Sequence, residues 1–438
     1  MLLLLAGCGN GGGDEAVHAR ARQPETAKAP REFLPPQIPR SDSSQVREAA
    51  RALERGDLAA ANRLILALPG EPEAVRLERT LLRARLLALE GDGVAAVREI
   101  EAARAAWPDQ AQVYATAAEL HSMAGRVKSA EDEIRRGLEV AGPMPELTRA
   151  RGVLALGRAG GARAGLEHLL AARKEDPELD FCDRPLAQAH LLLGNAALAA
   201  TSPLEAMAHA RAGLLSDPVE PELRALLGDA QAASGELDAA IATYEELFAE
   251  GRAVRPALES LLLKGATAAL VDGDRPLALQ RWLRARELGV SDEDLGFGAT
   301  ALRDEAQREI EQGTAAYAQD DLERAGEAFR RALVLEPGSL AGRNHLAVVL
   351  FRRGEFDAAA HEWRWLLETS RARSVELPEP VHLNLARALR NAGRLSDARE
   401  PLEDYLRREP EGEWAAETLE MLARLPAAPT ADGGGDYR

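Results

Sequence analysis

Ten small residues, spread along most of the chain, constrain its fold more than any other feature. Ala61, Ala96, Ala130, Gly165, Ala206, Ala240, Ala278, Ala325, Ala359 and Ala398 recur, several of them at intervals of 34 or 35 residues (61 to 96 to 130 to 165; 206 to 240; 325 to 359). Four positions after each stands a larger apolar residue: Ile65, Ile100, Ile134, Leu169, Tyr244, Trp282, Phe329, Trp363 and Leu402, with Ala210 the exception. Five positions before most of them is a glycine: Gly56, Gly91, Gly125, Gly160, Gly235, Gly273, Gly354 and Gly393. Proline closes several units, at Pro108, Pro177, Pro218, Pro337 and Pro410.

Each column has a physical cause. A glycine ends a first helix because a left-handed terminal residue is least strained without a Cβ. A small residue at the start of the second helix lets two antiparallel helices approach closely, and the larger residue one turn later fills the groove against a neighbour. Proline cannot continue a helix and so punctuates the turn to the next unit. One helix pair cannot bury its apolar face alone, and stacking the pairs makes a continuous core. Composition agrees. The chain is 46% hydrophobic, mostly alanine and leucine, and only 4% aromatic. Ala, Leu, Glu and Arg favour helix, and strand formers are sparse. The expected fold class is all-α.

These columns resemble the tetratricopeptide repeat. The pattern is clearest in GTAAYAQDDLERAGEAFRRALVLEPGS (313–339), and recurs in LRALLGDAQAASGELDAAIATYEELF (223–248) and NLARALRNAGRLSDAREPLEDYLRREP (384–410). The resemblance implies a right-handed α-solenoid of about ten helix-turn-helix repeats over roughly residues 42–412. The unit with Asp320-Asp321 lacks the usual glycine.

The register slips between Gly165 and Ala206, around KEDPELDFCDRP, and most of all between Ala278 and Ala325, around SDEDLGFGATALRDE. The expected organisation is an N-terminal block at 41–290, an irregular insert or hinge at 291–305 and a C-terminal block at 306–412. A capping helix at 413–425 screens the last apolar face, and 426–438 is a disordered tail. Residues 9–40 read as a flexible tether, glycine-rich in GNGGGDE and broken by PPQIP, with a root-mean-square span of roughly 30 Å. Phe33, Leu34 and Ile38 are its apolar residues available to dock onto the first helix.

Leu5-Ala6-Gly7-Cys8 resembles the lipobox of bacterial lipoproteins. That resemblance implies cleavage before Cys8 and acylation of its sulfur and new amine. Two or three acyl chains, at about 0.8 kcal/mol per buried CH₂, anchor stably where one would not. A signal peptide needs a basic start and a longer apolar run. No Lys or Arg precedes Cys8, so residues 1–8 read as a truncated signal peptide and the start as placed late. The absence of aspartate after Cys8 fits delivery to an outer membrane facing the periplasm. No run of about 18–20 apolar residues is present to span a membrane, so contact with membrane is expected through the lipid alone.

The net charge of −17 opposes nucleic acid as a partner, because phosphate binding needs a basic footprint. Two cysteines exclude a disulfide framework or a four-cysteine zinc site within one chain; Cys182 reads as a small buried or half-buried residue. His361-Glu362-Trp363-Arg364-Trp365 begins like a zinc-protease helix but has Trp365 where the second histidine must be. The eight histidines read as surface or groove residues, and no metal or cofactor is expected. Acidic runs such as Asp292-Glu293-Asp294 suggest a glycan-acting helical enzyme as one alternative, but sugar clefts need paired carboxylates and aromatic platforms. What remains is a surface. In repeats of this kind the first helices line a concave groove that holds peptides or helices. Asn344, Val348 and Arg352 share one helical face, as do Asn384, Arg387 and Asn391, and Tyr317 joins them from the preceding unit. Asparagine bonds a peptide backbone and arginine a carboxylate. The expectation is a non-catalytic interaction scaffold of the cell envelope with protein or peptide partners; a soluble cytoplasmic adaptor is the alternative.

Overall fold

The computed structural model describes residues 34–375, 377 and 381–425. Cys8 with its lipobox, the tether up to residue 33 and the tail from residue 426 lie outside the described residues. Among the described residues every regular element is a helix. The chain divides into two compact units, residues 1–230 and 231–438.

In the first unit, helices follow in antiparallel pairs: α1 (Ser44–Glu54) with α2 (Leu58–Ala67), α3 (Glu73–Leu89) with α4 (Gly93–Ala106), and α5 (Ala111–Met123) with α6 (Val127–Ala141). Then come α7 (Pro145–Leu156) with α8 (Ala162–Glu175), α9 (Asp183–Ala199) with α10 (Pro203–Ser216), and the start of α11 (Pro221–Ser234). The second unit holds α12 (Leu237–Ala249), which follows α11 in the same sequence pattern, then α13 (Arg255–Val271) with α14 (Arg275–Glu287). After the one-turn α15 (Asp292–Leu295) come α16 (Phe297–Ala318) with α17 (Leu322–Leu335) and α18 (Leu340–Arg352) with α19 (Phe356–Arg373). The last are α20 (Val381–Asn391) with α21 (Arg399–Arg408), and α22 (Ala415–Arg424).

The sequence columns become packing. All nine alanines of the small-residue column are buried, eight of them completely. Gly165 is tighter still, since a Cβ there would come within 2.5 Å of Leu156 Cδ2. Every residue of the larger column, from Ile65 to Leu402 and including Ala210, is buried. The eight turn glycines all have positive φ, and in the two units without glycine Thr201 (φ 56°) and Asp320 (φ 61°) take the same left-handed conformation. Next in line, Asp57, Asp92, Asp274 and Asp321 cap the second helices, each accepting a backbone N–H three residues on. Such a cap satisfies a donor that the first turn leaves free.

Residues 291–305, expected as an insert or hinge, hold α15 and the first turns of α16. Gly296, at φ 54°, joins the two helices. At 22 residues, α16 is the long member of its pair and absorbs part of the extra spacing. Cys182 is fully buried at the start of α9, and burial pushes its thiol above the usual range.

Candidate partner-binding faces

The predicted groove residues of the second unit fall into two sets. In the first, the guanidinium of Arg352 lies over the Tyr317 ring, 5.1 Å from its centroid, and its Nη2 donates to Asp320 Oδ1 at 2.8 Å. The left-handed turn after α16 is what points Asp320 at α18. Val348 is half-buried on the same helix. Asn344, two turns back from Arg352, accepts the indole N–H of buried Trp363 at 2.9 Å, so its carbonyl oxygen serves the fold. In the second set, Asn384 Oδ1 accepts from Arg387 Nη1 at 3.4 Å, and Arg387 Nη2 donates to Glu417 of α22. Asn391 is exposed at the end of α20. Tyr317 and Arg352 meet, as do Asn384 and Arg387.

The other sequence features resolve into packing. Glu362 of the zinc-like string accepts from Arg343 at 2.7 Å, and Arg343 stacks 3.8 Å from the centroid of Trp365. His345 stacks on Phe329, and His190 and His209 meet Nδ1 to Nδ1 at 3.1 Å between α9 and α10. Among the described residues no cluster of three or more His, Cys, Asp or Glu could hold a metal ion, and no helix is long and apolar enough to cross a membrane.

A more developed site lies in the first unit. The described end of the predicted tether departs from a free linker: residues 34–41 run without regular structure across the first helices of the pairs. Gln110, at the head of α5, grips the backbone of this strap twice. Its Oε1 accepts the Ile38 N–H at 2.6 Å, and its Nε2 donates to the Pro36 carbonyl at 3.2 Å. Gln37 answers in the other direction, accepting the Ala111 N–H at 2.9 Å and donating to the Asp109 carbonyl at 2.8 Å. Ile38 packs on the core between α3 and α5, rather than on the first helix. Leu34 lies against Gly142, where a Cβ would come within 2.6 Å of Leu34 Cδ1. The strap ends in charge. Arg40 donates to Asp176 and, at 2.6 Å, to the Glu178 carbonyl, and the Ser41 N–H donates to Glu78 Oε1 at 3.0 Å.

The loop between α8 and α9, the first register slip, is the strap's counterpart. It carries Asp176, Glu178 and Asp180, and it turns Phe181 through φ 60°. The Phe181 ring lies 4.2 Å from the Arg85 guanidinium and 5.9 Å from that of Arg149. Both arginines are buried against one carboxylate: Glu119 accepts from Arg85 at 2.5 Å and from Arg149 at 2.8 Å. Burial alone would raise the Glu119 carboxyl, but Arg149 and Arg85 outweigh it and hold it below the usual range. Beneath the strap is a small cleft lined by α1, α3, α5, α7 and this loop. Around it, burial pushes the carboxyls of Glu54 and Glu78 up to about 7. Three buried carboxylate oxygens, Glu54 Oε1, Glu78 Oε2 and Glu146 Oε2, have no partner among the described residues. The arrangement reads an extended backbone through side-chain amides and a basic side chain through carboxylates.

Residues 191–253 and 310–363 match the family model of the tetratricopeptide repeat. No curated protein sequence matches the chain. Among solved structures it is similar to the TPR2AB domain of yeast Sti1 in its pHSP90 complex, at 17% identity over 54% of this chain and 97% of that one, with a TM-score of 0.28. It is similar to the C-terminal part of a TPR repeat-containing protein from Cytophaga hutchinsonii, at 15% identity over 61% and 99%, TM-score 0.33. Pseudomonas aeruginosa pilF gives 17% identity over 54% and 98%, TM-score 0.22. These superpositions are loose, and the repeat assignment rests on the family match and on the helix pairs themselves. Residues 191–253 and 310–363 carry tetratricopeptide-type repeats by that match, and the remaining helix pairs of the described residues follow the same helix-turn-helix pattern.

Proposed function

We propose that the protein is a non-catalytic interaction scaffold of the bacterial cell envelope. In this reading Cys8 is acylated, the lipid holds the chain to an outer membrane, and the repeats face the periplasm and capture extended segments of partner proteins. The lipobox-like Leu5-Ala6-Gly7-Cys8 and the glycine-rich run after it support the anchor. The observation that carries the capture function is Gln110, whose side-chain amide holds both the N–H of Ile38 and the carbonyl of Pro36. A face that grips its own extended chain through backbone groups has the chemistry to grip another's. On the second unit, Tyr317, Val348, Arg352 and Asn391, with the Asn344 and Asn384–Arg387 positions beside them, form a second proposed contact face.

The test is metabolic labelling of the native gene product with a clickable fatty acid, in wild type and in Cys8→Ser. Label on wild type alone, with wild type in the outer-membrane fraction and crosslinked to envelope proteins, is the expected result. An unlabelled wild-type chain in the cytoplasmic fraction would instead favour a soluble adaptor.

A further inference from the structure

The strap covers the α3–α5–α7 face without satisfying it. Glu146 is only 7% exposed and lines the cleft, yet its Oε2 has no partner among the described residues. Glu78 Oε1 accepts the Ser41 N–H, and its Oε2 is equally unpartnered among the described residues. The arginines of the cleft are already engaged, Arg85 and Arg149 by Glu119 and Arg40 by Asp176. What these two buried carboxyl oxygens lack is a donor, and a cationic one answers them best. The strap residue that lines the cleft, Arg40, is turned to Asp176 and Asp180, and Ser41 brings only its backbone N–H to Glu78. Pro36 and Pro39 are exposed on its outer side.

We propose that this face is the binding site for an extended partner segment of the order apolar, proline, basic, basic, and that residues 36–41 are its resting occupant. This rests on the scaffold reading above and names the partner class. Gln110 and Gln112 hold the backbone whatever its sequence. The Ile38 position takes an aliphatic side chain against the α3–α5 core. The Arg40 position takes a first basic residue, read by Asp176 and Asp180. The position of Ser41, whose N–H already reaches Glu78, delivers a second ammonium or guanidinium into the cleft toward Glu78 and Glu146. A partner that fills both basic positions makes contacts that the strap cannot, and so displaces it.

The experiment compares two labelled peptides, PPQIPRS and PPQIPRK, by fluorescence anisotropy. The proteins are the full chain and a full-chain Gln37→Ala/Arg40→Glu variant, in which the strap is repelled from the acidic loop. The strap variant is expected to bind the lysine peptide about tenfold more tightly than wild type does, and about tenfold more tightly than it binds the serine peptide, one charge-assisted bond being worth at least that ratio. Adding Glu78→Gln and Glu146→Gln is expected to erase the preference for lysine. Equal affinity for the two peptides, or no binding to a strap variant whose circular dichroism and melting match wild type, overturns the proposal. If the double variant melts below the assay temperature, Arg40→Ala alone carries the same comparison. Binding of the lysine peptide by a chain that cells never acylate leaves this site standing and removes the envelope reading. An acylated, envelope-crosslinked chain that ignores the peptide removes this site alone.

Discussion

The indole N–H of Trp363 donates to Asn344 Oδ1 at 2.9 Å, joining a residue of the packing column to one read from the sequence as a groove contact. Trp363 is 1% exposed, so water does not replace this acceptor. Replacing Asn344 with leucine leaves a buried donor unpaired, which costs about 1–3 kcal/mol. Denaturant unfolding of Asn344→Leu should show a loss of that size. An unchanged midpoint would mean that the bond contributes nothing and would return Asn344 to the exposed face.

Asp320 and Gly354 hold equivalent left-handed turns, at φ 61° and 80°. The strain of a side chain in that conformation is about 1 kcal/mol, less for aspartate than for most residues. Asp320 also pairs with exposed Arg352, a contact that solvent screening keeps weak. Asp320→Gly should therefore be neutral to stabilising by up to about 1 kcal/mol, while Gly354→Ala should destabilise by about 1 kcal/mol. Opposite shifts in melting temperature check the pair. A destabilised Asp320→Gly would show that the aspartate's contacts outweigh its strain.

These two cases show what was legible and why. The alanine and glycine columns follow from helix contact and turn geometry within one repeat, so they survive in a single sequence and give the helix pairs directly. The i, i+4, i+8 spacing of Asn344, Val348 and Arg352 tells that they share a side of α18 but not that Trp363 reaches round from α19. The strap was least legible. Its partners lie 72 residues away at Gln110 and 136 at Asp176, and a proline-rich stretch looks alike whether seated or free. Two signals were nonetheless present: the lengthened interval holding Asp176, Asp180 and Phe181, and two glutamines, Gln110 and Gln112, at the head of one first helix.

Glu119 bridges Arg85 and Arg149 where all three are nearly excluded from water. Removing one member of such a group leaves the others charged and unpaired, at a cost of about 3–5 kcal/mol. Glu119→Ala should lose stability of that order, and hydrogen exchange should speed up in α3, α5 and α7 first. Because Phe181 lies over both arginines, the α8–α9 loop should lose protection with them. Protection retained in that loop would show that Phe181 is held by the apolar core alone.

Glu54 and Glu78 give the first unit a dependence on pH of defined sign. Burial pushes both carboxyls up to about 7 from an ordinary value of 4.5. The folded chain therefore holds these protons more tightly than the unfolded chain does. Their favourable contribution is complete below the unfolded value and is lost as pH rises through about 7. Glu119 runs the other way, its lowered carboxyl contributing stability that is lost only as pH falls below the usual carboxylate range. His121 and His190, held neutral by burial, also oppose, since they favour the fold increasingly as pH rises through 6.5. The clean measurement is thus a difference. Glu54→Gln and Glu78→Gln should match wild type near pH 5 and exceed it at pH 8 by about 1–2 kcal/mol each, after allowance for partial exposure. Denaturant unfolding at the two pH values decides it: a gain that appears at pH 5 and vanishes at pH 8 would reverse the sign and show the carboxylates paired rather than stranded.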